Sequence, residues 1–223
     1  MSGMNSTKVR VLLVDDHPMI RQGLADLIND EPNMEICGEA GTCREGLELI
    51  ATLKPNLAII DISLGDGDGI VLIKDIRARS PQVHLLVLSM HDELVYAQRA
   101  IRAGAAGYVM KAEAAETVMA AIRCILAGKI YISVKVTNQM LRSIRAGYTA
   151  DQSGKAPIER LTDRELQLLR LLGAGLKVRE ISRQLFISSK TVESHRVNIK
   201  RKLSLDTSAE LLRFAIQYSR IEP

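Results

Sequence analysis

The chain has 223 residues, 47% of them hydrophobic but only 3% aromatic, and a net charge of +4. That length suits one large domain or two ordinary ones, and that apolar content excludes a disordered chain. No apolar run approaches about 18 residues, which argues against a membrane-spanning helix, and "MSGMNSTKVR" lacks the apolar core of a secretory signal, so a cytoplasmic protein is expected.

The first strand candidate is "VRVLLV" (9–14), followed by two adjacent carboxylates, Asp15 and Asp16. Like charges at the end of a buried strand repel, so their placement demands a reason. Further strand candidates are "MEICGEA" (34–40), "LAIIDI" (57–62), "HLLVLSM" (84–90) and "GYVMK" (107–111). Between and after them lie "MIRQGLADLIND", "REGLELIATLK", "IVLIKDIRARS", "ELVYAQRAIRAG" and "AETVMAAIRCILAG", with apolar residues at one-turn spacing as in Met19, Ile20, Leu24, Leu27 and Ile28. Five strands alternating with five helices predict an α/β fold, a (βα)5 doubly wound parallel sheet covered on both faces. The most apolar strands, the first and third, should be central. A further helical pattern, "VKVTNQMLRSIRAG", leads to "YTADQSGKAPIE", whose polar, Gly- and Pro-containing composition reads as a linker.

The remainder reads as all-α. In "LTDREL", Thr162 and Glu165 can form a capping box and Leu161 with Leu166 a staple, with the helix ending near Gly173 or Gly175. "VREISRQLF", the turn "ISS", "KTVESHRVNIKRKLS" and "SAELLRFAIQYSR" follow, a helix-turn-helix pattern with a closing helix. Charge divides the same way. Residues 1–154 carry 16 Lys/Arg and 18 Asp/Glu, a net of −2, whereas residues 155–223 carry 14 and 8, a net of +6. A basic second half suits a polyanionic partner. Cys37, Cys43 and Cys124 are odd in number, lack metal-site spacing and read as reduced, buried small hydrophobes.

In a doubly wound sheet the carboxyl ends of the strands share one edge. Asp15 and Asp16, Asp61, Ser89 and Lys111 all fall there. Three close carboxylates need a cation, and oxygen ligands with room for water suit Mg²⁺. A hydroxyl and an ammonium alongside match the oxygens of a transferred phosphoryl group, for which Asp61 can serve as nucleophile. His17 reads as a helix-start residue. "GDGDG" suggests a calcium loop, but the position for its bidentate Glu, eleven residues after Asp66, is Arg77.

On these five positions and the C-terminal pattern, the chain resembles the two-component response regulators, residues 8–130 the receiver domain, 131–157 a linker helix and flexible linker, and 158–220 the LuxR-type helix-turn-helix domain of NarL/FixJ-type transcription factors. The resemblance implies that Asp61 is the phosphoacceptor, that Asp15, Asp16 and Asp61 hold Mg²⁺ with the Ser63 carbonyl, and that Ser89 and Lys111 contact the phosphoryl group. Tyr108 matches the aromatic residue that rotates on activation. It also implies a sensor histidine kinase as donor, double-stranded DNA as target and a homodimer when active, without turnover of an external substrate. Two departures stand out. "SLGDGDG" places Leu64 and Gly65 where relatives have Met-Pro, which predicts a more mobile loop. Ala112 follows Lys111 in place of the usual Pro or Asp, and a trans peptide is expected because a cis one costs about 3 kcal/mol without proline.

On the helix from Ser189 to Leu203, Val192, Ile199 and Leu203 share a face that should pack inward. Lys190, Glu193, Ser194, Val197 and Arg201 share the opposite one. Val197 suits a thymine methyl, Lys190 and Arg201 phosphate or guanine, and Glu193 cytosine. Lys177, Arg179, Lys200 and Lys202 are expected to bind phosphates, and Leu211, Leu212, Ala215 and Ile216 to form a dimer surface, with core packing as the alternative for the same stripe. Two other readings compete. An aspartyl-phosphate phosphohydrolase would carry an Asp-x-Asp pair on its first strand, which is missing here. A regulator whose receiver serves only dimerisation has the altered loop after Asp61 as its sole support.

Overall fold

The computed structural model describes residues 8–145, 157–185 and 187–221. The chain divides into two compact units, with the boundary between Thr137 and Asn138. The expected flexible segment, up to residue 156, and Phe186 lie outside the described residues.

The first unit begins with β1 (Val9–Val14), α1 (Pro18–Asn29), β2 (Met34–Ala40), α2 (Cys43–Leu53) and β3 (Leu57–Ile60). A small hairpin of β4 (Ser63–Leu64) and β5 (Gly67–Asp68) follows, then α3 (Gly69–Arg79), β6 (His84–Ser89), α4 (Glu93–Ala103), β7 (Gly107–Met110) and α5 (Ala115–Leu126). The five long strands are parallel, in the order β2-β1-β3-β6-β7, as the alternation of strands and helices predicts. β1 pairs with both β2 and β3, so strand order reverses there and opens a crevice at the carboxyl edge.

Both faces of the sheet are buried. Val11, Leu13, Leu57 and Ile59 pack with Leu24 and Ile28 of α1 and Ile122 and Ile125 of α5. On the other face a Cβ at Gly46 of α2 would lie 3.0 Å from Val14, close to Leu72 of α3. This two-sided burial explains why β1 and β3 read as continuous apolar runs. Beyond α5, Tyr131 adds a bridge to Gly107 and leads into α6 (Val134–Arg145).

The second unit contains a short 3-10 turn (Pro157–Arg160), α7 (Asp163–Gly173), α8 (Val178–Gln184), α9 (Ser189–Leu203) and α10 (Ser208–Ile221). The capping box at α7 is present, with Thr162 N donating to Glu165 Oε2 at 2.7 Å. Gly173 is required by a close approach, since a Cβ there would meet the Ala215 carbonyl oxygen of α10 at 2.3 Å. The expected stripe on α10 is split. Leu211 and Ala215 are buried core, whereas Leu212 and Ile216 are exposed beside a groove of about 630 Å³ that Leu172, Leu176 and Val178 also line.

Candidate phosphorylation pocket and nucleic-acid interface

The backbone ladder continues past the strands and fixes the predicted pocket. Asp15 N donates to Ala40 O, Asp61 N to Val14 O and Lys111 N to Ser89 O, at 2.8–3.0 Å. Asp15, Asp61 and Ser89 are buried. Lys111 Nζ lies 2.6 Å from Asp15 Oδ2 and 2.8 Å from Asp61 Oδ2, with its side chain 3% exposed. One ammonium among three carboxylates leaves the pocket negative. Burial pushes the Asp61 carboxyl above the usual carboxylate range, and the charge of Asp15 adds to that push. Lys111 and the Ser63 backbone pull in the opposite direction.

Asp16 Oδ1 and Asp61 Oδ1 are buried without a hydrogen-bond partner. The ligand atoms of Asp15, Asp16, Asp61 and His17 all lie within 4.8 Å of one another. Orphaned acidic oxygens that converge are costly unless a cation joins them, so these residues fit a divalent ion. His17 is the N-cap of α1, as a helix-start residue should be, but its side chain makes no capping bond.

Ser89 ends β6, and its hydroxyl accepts from the His91 backbone N–H at 3.3 Å. Tyr108 is buried, and its hydroxyl donates to the His91 carbonyl at 2.8 Å. His91 Nε2 lies 2.6 Å from Ser63 Oγ. His91 thus touches Ser63, Ser89 and Tyr108, a role that no sequence motif announced. Arg21 was equally silent in the sequence; its Nη1 donates to the Asp15 carbonyl at 2.6 Å and its Nε to Glu39 at 3.1 Å.

The stretch after Asp61 forms the β4–β5 hairpin, paired Ser63 with Asp68 and Leu64 with Gly67. The cause is capping. Asp66 Oδ1 accepts from Cys43 N at 2.7 Å at the start of α2, and Asp68 Oδ1 accepts from Ile70 N at 2.8 Å at the start of α3. Gly69 is required beside it, because a Cβ there would lie 2.1 Å from the Asp61 carbonyl oxygen. No peptide bond among the described residues is cis, Lys111–Ala112 included. The three cysteines are free, and each is half-buried.

In the second unit, Ser188 caps α9 by accepting from Thr191 N at 3.0 Å. Val192, Ile199 and Leu203 of α9 are buried. Ser189, Lys190, Glu193, Ser194 and Arg201 are exposed, Val197 is 58% exposed, and Lys200 is half-buried. Lys177 and Arg179, at the start of α8, are exposed. Glu193 does not stand alone, since Arg196 Nη1 reaches its Oε1 at 2.7 Å. Lys202 also departs from the expected role of free phosphate binder. Its Nζ lies 2.6 Å from Glu165 Oε2, a buried acceptor that Thr162 also bonds. Burial alone would raise the Glu165 carboxyl, but Lys202 and Thr162 outweigh it and hold that carboxyl below the usual glutamate range. No helix among the described residues is long and apolar enough to cross a membrane.

The chain matches the response regulator receiver domain over residues 11–123 and the luxR family of bacterial regulatory proteins over residues 159–215. It is 35% identical to the transcriptional regulatory protein MctR of Rhizobium johnstonii, across 95% of this chain and 94% of that protein. It is 37% identical to the transcriptional activator protein ExaE of Pseudomonas putida, across 93% of this chain and 95% of that one. Among solved structures it is similar to RcsB from Salmonella enterica serovar Typhimurium bound to promoter P1flhDC in the presence of phosphomimetic BeF3−. The TM-score is 0.68 and the identity 26%, covering 94% of this chain and 98% of RcsB.

Proposed function

Because the chain belongs to the response regulators that join a receiver domain to a LuxR-type DNA-binding domain, and is a transcription regulator, we propose that phosphorylation of Asp61 by a sensor histidine kinase controls its binding to specific double-stranded DNA. The observation that carries this reading is the buried Lys111 ammonium between Asp15 and Asp61, beside an Asp61 oxygen that is buried without a hydrogen-bond partner. A magnesium ion held by Asp15, Asp16, Asp61 and the Ser63 carbonyl would supply charge neutralisation for the acidic cluster and the incoming phosphoryl group.

The residues of the chain divide the remaining work. An Asp61 carboxylate oxygen attacks phosphorus, the P–N bond of the donor phosphohistidine breaks as the P–O bond forms, and the leaving imidazole keeps the electron pair and takes a proton. Lys111 and Ser89 hold the transferred oxygens. Ser89 bonds the His91 backbone before transfer, and Tyr108 bonds the same residue. Drawing Ser89 toward a phosphoryl group therefore loosens the anchor of Tyr108. The added negative charge biases this two-state loop, and the face around α4 and β7 repacks.

In the second unit, α9 is the recognition helix, with Ser189, Lys190, Glu193, Ser194, Val197 and Arg201 toward base edges and phosphates. Lys177, Arg179 and Lys200 bind the backbone. The exposed Leu212 and Ile216 of α10 make a homodimer surface on paired half-sites. Residues 8–130 act as receiver, 131–157 as linker and 158–220 as DNA reader. The test is intact-mass measurement after treatment with acetyl phosphate and Mg²⁺, paired with operator binding. One phosphoryl group on the wild type, none on Asp61→Asn, and an affinity gain in the wild type alone are expected. An Asp61→Asn variant that gains affinity equally would refute the switch and leave a regulator whose receiver serves only dimerisation.

A further inference from the structure

His17 belongs to neither the switch nor the DNA-facing surface, yet its ring is turned into the acidic pocket. Pro18 follows it at the start of α1 and restricts it to extended backbone, observed at φ −94° and ψ 105°. Its backbone N–H donates to Asp15 Oδ1 at 2.9 Å. Its Nδ1 is hydrogen-bonded to Asp15 Oδ1 at 3.1 Å and lies 2.6 Å from Asp16 Oδ1, so as an ion ligand this nitrogen exchanges that bond for the ion. This nitrogen joins the carboxylate oxygens of Asp15, Asp16 and Asp61 in one group spanning no more than 4.8 Å.

Ligand atoms about 2.0–2.2 Å from a shared ion lie at most about 4.4 Å apart. The group's widest pairs need slight convergence, and the 2.6 Å pair of His17 Nδ1 and Asp16 Oδ1 must open to about 3 Å, the spacing of neighbouring ligands on one ion. Asp61 Oδ1 is buried without a hydrogen-bond partner, and Asp61 is 3% exposed. His17 itself is 60% exposed, so with Nδ1 turned to the ion its Nε2–H reaches water. An imidazole changes the chemistry of the donor set. Magnesium binds oxygen and keeps its waters, whereas first-row transition ions accept nitrogen readily.

We propose that His17 supplies a nitrogen ligand to the divalent ion in this pocket and gives the site a preference for nitrogen-accepting ions such as Mn²⁺ over Mg²⁺. The inference rests on the reading of the pocket as a cation site, and the test separates the two. The full chain loaded with Mn²⁺ is examined by pulsed electron paramagnetic resonance for coupling to a directly bound ¹⁴N. The coupling is expected in the wild type and in His91→Gln, and lost in His17→Gln. The ratio of Mn²⁺ to Mg²⁺ affinity should fall about ten-fold in His17→Gln. Mn²⁺ bound with oxygen ligands alone in the wild type overturns the inference but leaves the cation site standing. A coupling that persists in His17→Gln assigns the nitrogen elsewhere and overturns it as well. Failure of the wild type to bind Mn²⁺ or Mg²⁺ at all overturns both readings.

Discussion

The two units place their working residues in opposite settings. In the α/β unit, Asp15, Asp61, Ser89 and Lys111 are buried at strand ends, where each polar group constrains its neighbours. In the helical unit the side chains of α9 that face outward are exposed, and the buried ones, Val192, Ile199 and Leu203, only hold the helix. Burial makes a charge informative, because a desolvated carboxylate without a partner is expensive and must have a reason. Exposure removes that pressure. An outward Lys or Glu is equally at home against water or a phosphate, so the proposed DNA contacts rest on a shared face more than on any single residue.

The largest expected effect tests the buried side of this contrast. Lys111→Met strands two buried carboxylates and should lower stability by about 3–5 kcal/mol in urea titrations without added metal. Added Mg²⁺ should restore part of that loss. A variant as stable as the wild type would show that the pocket tolerates its charges unaided. Next comes Val197→Glu, which should weaken operator binding by about 1–3 kcal/mol in gel-shift titrations with unchanged circular dichroism. Unchanged affinity would remove α9 from the groove.

The third experiment asks whether a buried charge also matters in the helical unit. Glu165→Gln should cost about 2 kcal/mol near neutral pH, since it removes a charge-assisted bond to Lys202 and Thr162. The Glu165 carboxyl is held below its ordinary value of 4.5 in the folded chain. Its contribution is therefore full above that value and is lost as pH falls through the lower folded value. The gap between wild type and Glu165→Gln should close on acidification below about pH 4. A gap that widens there would reverse the sign of the linkage. The smallest effect concerns Cys43. Burial, with Asp66 and Asp68 nearby, pushes its thiol up to about 12. Iodoacetamide at pH 8 should leave it unlabelled until denaturant is added, as peptide mapping would report.

Much of the α/β unit was legible because its signals are periodic or local. Alternating strands and helices gave the sheet, and strand ends brought five polar positions to one edge. The capping box of Thr162 and Glu165 was readable for the same reason, since three residues separate its members. Two contacts escaped reading because they join distant parts of the chain. Lys202 meets Glu165 across 37 positions, and His91 meets Ser63 across 28. No periodicity marks such pairs. Asp66 was misleading in another way: beside Gly65 and Gly67 it resembled loop composition, but its carboxylate caps α2 from a distant segment.

The Glu165–Lys202 tie has a consequence for how α9 can vary. It fastens the far end of α9 from behind, while Ser188 fastens the beginning and three apolar side chains fasten the middle. None of these fixings uses the residues turned outward. Changes at Lys190, Glu193, Ser194 or Val197 can therefore remodel the outward face without unseating the helix, so the proposed reading surface is separable from the scaffold that carries it.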